Sequence, residues 1–115
     1  MTPVRTVDLS SLIPLFLVRL ERRLIALNGA LAEIVGGSRE MLENASREFH
    51  SLAGIGGTYG FPEVTVLARR GEDLLQLPLS EDRPVLPTEA ATAQLLVTQI
   101  DALRTRAAGC AAVSS

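Results

Sequence analysis

Apolar residues recur every three or four positions through most of this chain, the period of an amphipathic helix, and no segment alternates in the manner of a half-buried strand. Ile13, Leu17, Leu20, Leu24, Leu27, Leu31 and Ile34 form the first such stripe. It predicts a long helix over about 11–35, capped by Ser10 or Ser11, with Pro14 in the first turn, where a missing N–H costs little. Gly36-Gly37 ends it and Ser38 caps the next helix, over about 39–58, whose core stripe is Leu42, Ala45, Phe49, Leu52 and Gly56. Pro62 suits the first turn of a third helix over about 62–76, burying Val64, Leu67, Ala68, Gly71, Leu74 and Leu75. Pro78, Pro84 and Pro87 mark Leu77 to Thr88 as a loop. Thr88 then caps a fourth helix to about 107, with the stripe Ala93, Leu96, Val97, Ile100, Leu103 and Ala107, and the small residues of 108–115 read as a fraying tail. Four amphipathic helices with short connections predict an all-α, antiparallel up-down four-helix bundle in one domain of 115 residues. The heptad-like first helix would also suit a coiled-coil dimer, but three other apolar faces are available to cover it, and the oligomeric state stays open.

Composition narrows the functional classes. Aromatics make up only 3% of the chain, so the core is aliphatic, as suits helix packing. A net charge of −2 lacks the concentrated basic surface of a nucleic-acid binder. The run Leu12 to Leu20 is too short to span a membrane, is closed by Arg19, Glu21, Arg22 and Arg23, and has no cleavage-like site after a basic leader. The single cysteine, Cys110, excludes an internal disulfide and reads as inert. These features together fit a soluble, cytoplasmic protein.

The chemistry centres on the only histidine, His50, within Phe49-His50-Ser51-Leu52-Ala53-Gly54-Ile55-Gly56-Gly57-Thr58-Tyr59-Gly60. Ser46, Arg47, Ala53, Gly54 and Gly57 stand at helical spacing from it, so the imidazole shares its face with mostly small or polar residues. Glycine inside a helix costs about 1 kcal/mol relative to alanine. Close approach of another protein is a reason to tolerate Gly54, Gly56 and Gly57 here. A neutral imidazole on a rigid helix, open to a docking partner, is what a phosphoryl relay needs, because phosphoryl transfer depends chiefly on positioning and charge stabilisation. The competing reading of a lone histidine is a structural residue in an ordinary bundle. One histidine without clustered cysteines cannot build a closed zinc site, and no paired-histidine motif exists. The glycine run lacks the Gly-Lys-Ser/Thr of a nucleotide-binding loop and follows helix rather than strand, so no nucleotide is expected. Ser51 lacks the flanking glycines of a hydrolase nucleophile.

His50-Ser51-Leu52-Ala53-Gly54, Gly60 ten residues after the histidine, and the run Val64 to Leu75 behind it together resemble the histidine phosphotransfer (HPt) domain family. That family reads His-x-Leu-Lys-Gly, then a glycine ten residues on, then a leucine-bearing helix; His50, Leu52, Gly54, Gly60 and Leu67 fit. The resemblance implies that His50 accepts the phosphoryl group, that Gly54 lies beneath the docking site, and that Gly60 marks a turn. It implies a phosphocarrier, rather than a free-standing enzyme, shuttling between receiver-domain aspartates and supplied by a hybrid histidine kinase. It also implies no cofactor on this chain, the magnesium being held by the receiver. One position departs from the pattern: Ala53 stands where the family carries lysine. Arg47 is the nearest substitute, with Arg69 and Arg70 on the third helix as others. The alternative reading is a docking module that binds a receiver, kinase or regulator through Glu43, Arg47, His50 and Gly54 without phosphotransfer.

Overall fold

The computed structural model describes residues 13–113. They form α1 (Ile13–Ala32), α2 (Arg39–Tyr59), α3 (Pro62–Ser80) and α4 (Pro87–Val113). Each helix packs on its sequence neighbour, and α4 closes the ring against α1, giving an antiparallel up-down four-helix bundle. The core runs the length of the bundle. Leu20, Leu24, Leu27 and Leu31 of α1 meet Leu42, Phe49 and Leu52 of α2, Val64 and Leu75 of α3, and Val97 and Ile100 of α4.

Local chemistry explains most helix ends. Ser38 takes an extended conformation and its Oγ accepts a hydrogen bond from the Met41 N–H at 3.2 Å, fixing the start of α2. At the other end Gly60 adopts φ +79°, a left-handed conformation that a side chain would disfavour. The N–H groups of Gly60 and Phe61 both turn back to the Gly56 carbonyl, closing the helix in a Schellman-type cap. Phe61 then swings under α1, where its ring stacks on Phe16 at 4.1 Å, and Pro62 opens α3. This corner is short and pinned, so α2 and α3 run back along each other in a fixed register.

The structure revises four boundaries. First, α1 ends at Ala32 rather than near 35, and Ile34 is buried from within the connection. Phe16, absent from the expected stripe, is a deep core residue of α1, whereas Ile13 and Leu17 are only partly buried. Second, α3 continues to Ser80 through Pro78 instead of stopping near 76. A helix-interior proline costs about 3 kcal/mol, but here its ring is fully buried in the core, and Arg39 clasps the helix end through the Leu79 carbonyl and Asp82. Third, α4 begins at Pro87, and Thr88 does not cap it. Glu89 does so from inside the first turn, accepting the Leu86 N–H at 2.9 Å and a bidentate pair from Arg83. Fourth, α4 stays helical to Val113, where a fraying tail from 108 was expected; alanine, abundant there, is the best helix former. Ser10 and Ser11 lie outside the described residues.

Candidate functional site

His50 sits near the middle of α2, nine residues before its last residue, on a helix held from below by a tight contact. The Phe49 ring is fully buried against Gly71 of α3, so close that a β-carbon at 71 would lie 2.3 Å from a ring carbon. Gly56 permits the same proximity one step on, since a β-carbon there would come within 2.6 Å of Thr65 Oγ1 and 2.9 Å of its backbone nitrogen. These two glycines bring α2 and α3 together, and the groove between them carries the polar residues of interest.

The His50 side chain is 76% exposed, and its Nδ1 lies 3.0 Å from Oε2 of Glu72 on α3. A carboxylate only accepts, so the proton of this hydrogen bond belongs to Nδ1. In a neutral imidazole Nε2 is then left unprotonated, with its lone pair available as a nucleophile. Glu72 thus selects the tautomer and holds the ring. Glu72 was not among the residues singled out from the sequence. The usable signal was the antiparallel register about the Gly60–Pro62 corner: His50 stands about as far before that turn as Glu72 stands after it.

The residues expected beside the imidazole divide into two groups. Arg47, Gly54 and Gly57 are exposed on the outer face of α2, and nothing lies within 4 Å of where a β-carbon of Gly54 would sit. Glu43 is exposed a turn further back and is paired with Arg39 at 3.7 Å. Arg47 bonds the neutral Asn44 side chain, leaving its charge uncompensated by that contact. Ser46 and Ala53, by contrast, are corrected: they are only 6% and 7% exposed and belong to the α2–α3 seam. Ser46 Oγ accepts a hydrogen bond from Gln76 Nε2 at 3.2 Å, and the Ala53 carbonyl accepts one from Thr65 Oγ1 at 2.8 Å. Helical spacing alone placed both on the histidine's face; the packing of α3 over one flank of that face buries them.

On the opposite flank of α2 an open groove runs along α1, lined by Arg19, Arg22, Arg23, Ser51, Gly54 and Thr58. Arg23 pairs with Glu48 at 3.4 Å, while Arg19 and Arg22 have no carboxylate partner among the described residues. The groove is therefore electropositive and adjoins the histidine through Gly54. Among the described residues there is no group of three or more His, Cys, Asp or Glu side chains that could hold a metal ion, and no helix long and apolar enough to cross a membrane.

An exposed, tautomer-fixed imidazole with open space one turn on can accept a group from a macromolecular donor. The Hpt domain family model matches residues 11–106, from the start of α1 to the last turns of α4, while no curated protein and no solved structure matches the chain. The match takes in His50, Glu72 and all four helices, and the chain belongs to the Hpt domain family, the histidine phosphotransfer domains of two-component signalling.

Proposed function

We propose that this chain is a phosphorelay intermediate that takes a phosphoryl group from the aspartyl phosphate of one receiver domain onto Nε2 of His50 and passes it to the aspartate of another. The observation that carries this reading is the Glu72 hydrogen bond, which leaves Nε2 unprotonated on a side chain open to solvent. In the first step the Nε2 lone pair attacks phosphorus, the new P–N bond forms as the acyl P–O bond breaks, and the receiver's carboxylate leaves. The ring, protonated at Nδ1, becomes cationic, and Glu72 is in place to balance that charge. The receiver supplies magnesium and the surrounding carboxylates; this chain supplies position. Gly54 leaves room for the partner's active-site loops, and the Arg19–Arg22 side of the α1–α2 groove fits the acidic surface that surrounds a receiver's phosphorylated aspartate. Hybrid histidine kinases and response regulators of the cytoplasm are the partners this chemistry calls for.

The test uses the purified chain, a panel of receiver domains phosphorylated in the presence of magnesium, and the His50→Gln variant. Acid-labile, base-stable label on the wild-type chain and none on the variant is the expected result. Binding to receivers that is unaffected by His50→Gln, with no label from any of them, would replace the relay by a docking module.

A further inference from the structure

A phosphoryl group on Nε2 of His50 brings about two negative charges to the outer side of a ring whose Nδ1 is already paired with Glu72 at 3.0 Å. One imidazolium already shared with a carboxylate does not neutralise a dianion, and a further cation within reach stabilises it. The register of α2 on α3 identifies which cation that is. Ser46 meets Gln76 and His50 meets Glu72, so four residues forward on α2 match four residues backward on α3. Further along, Thr65 lies against both Gly56 and Gly57, so the two helices stay side by side beyond this pair. The same step carried one turn past His50 and Glu72 places Ala53 opposite Arg69. Arg69 is exposed, one turn from Glu72 on the same ridge of α3, and forms no ion pair among the described residues. Ala53 opposite is small and buried, which leaves the space above it to the arginine. Arg70, the next residue, is turned by about 100° and leaves this ridge.

We propose that Arg69 is the phosphoryl-contacting cation of this site, reaching over Ala53 from α3 to the phosphate on His50. The proposal rests on the phosphotransfer reading for its biological role, but its electrostatics can be read without a receiver. A guanidinium is always charged and matches phosphate oxygens in pairs, so its contribution should persist across the working pH range.

The experiment phosphorylates the folded chain chemically with potassium phosphoramidate, which transfers phosphorus to the imidazole with release of ammonia. His50 is the only histidine, so the product has one phosphohistidine. Its 31P shift is titrated in wild type, Arg69→Ala, Arg69→Lys and Arg70→Ala, and transfer to receiver domains is timed in parallel. Arg69→Ala should raise the phosphoryl titration midpoint and slow transfer about tenfold or more, the scale of one charge-assisted contact. Arg69→Lys should recover part of both effects, and Arg70→Ala should match wild type. Identical midpoints in Arg69→Ala and wild type would overturn the proposal, as would equal effects of the two alanine variants. A receiver-inactive wild type with an Arg69-dependent midpoint would instead defeat the relay and leave the Arg69 assignment standing.

Discussion

Removing Glu72 isolates what the α2–α3 seam does for the imidazole. Glu72→Ala deletes the acceptor of the Nδ1–H bond and the negative charge beside it, together with the packing of a side chain that is only 26% exposed. Two consequences are expected. Without its partner the ring is free to move its proton to Nε2, the nitrogen that must attack, and to rotate away from the productive direction. The cationic ring that forms on phosphorylation also loses its counter-charge. Coulomb's law for unit charges at 3.0 Å in a water-like dielectric gives about 1.4 kcal/mol, a lower bound for a partly shielded pair and worth about tenfold in rate. Glu72→Gln separates the two contributions, since the amide oxygen still accepts the Nδ1–H but carries no charge. The assay is single-turnover transfer from a phosphorylated receiver with magnesium, with thermal melts confirming the same fold. Glu72→Ala should be slower by about tenfold or more, with Glu72→Gln between it and wild type. Glu72→Ala within twofold of wild type would show that the hydrogen bond is incidental and that nothing on α3 prepares the ring.

Three further outcomes are expected. Gly71→Ala drives a β-carbon to 2.3 Å from the buried Phe49 ring; overpacking of this kind costs about 1–3 kcal/mol, and scanning calorimetry should show Tm falling by roughly 5–10 °C, whereas an unchanged Tm would mean that the seam is loose. The hydrogen bonds from Arg83, and secondarily the Leu86 N–H, hold the Glu89 carboxyl at about 2, below the ordinary 4.5, so its stabilisation is complete above pH 4.5 and disappears as pH falls from there toward 2; melts across this range should show Glu89→Gln less stable than wild type near neutrality and converging with it in acid. Reversing the groove charge with Arg19→Glu and Arg22→Glu together should weaken receiver binding and flatten its salt dependence while leaving Tm unchanged; calorimetric titrations at low and high salt that match wild type would remove the groove from the docking face.

The bundle was readable because its helices announce themselves locally. Period-four stripes, Ser38, Gly60 and Pro62 each carry their own physical signal, and each does what that signal implies. Pro78 and Thr88 misled because tertiary context outweighed local preference: burial kept α3 helical through a proline, and Glu89 capped α4 in place of the threonine. At the site, helical spacing from His50 placed Arg47, Gly54 and Gly57 on an open face, but spacing cannot say which flank of that face a neighbouring helix covers. Ser46 and Ala53 fell on the covered flank. Glu72 belongs to a different helix from the motif, and only the register set by the Gly60–Pro62 corner brings it to His50. The uncompensated charge of the α1–α2 groove was similarly invisible while the pairing of Arg23 with Glu48 was unknown.

The most direct test is a two-receiver relay in one vessel. One receiver is phosphorylated and separated from its donor, this chain is added with magnesium, and a second receiver of different mass is followed for label over time. Label passing through the chain to the second receiver, and stopping completely with His50→Gln, is the predicted result. Transfer between receivers that proceeds equally with the His50→Gln chain, or label that reaches the chain at a residue other than His50, would contradict the account.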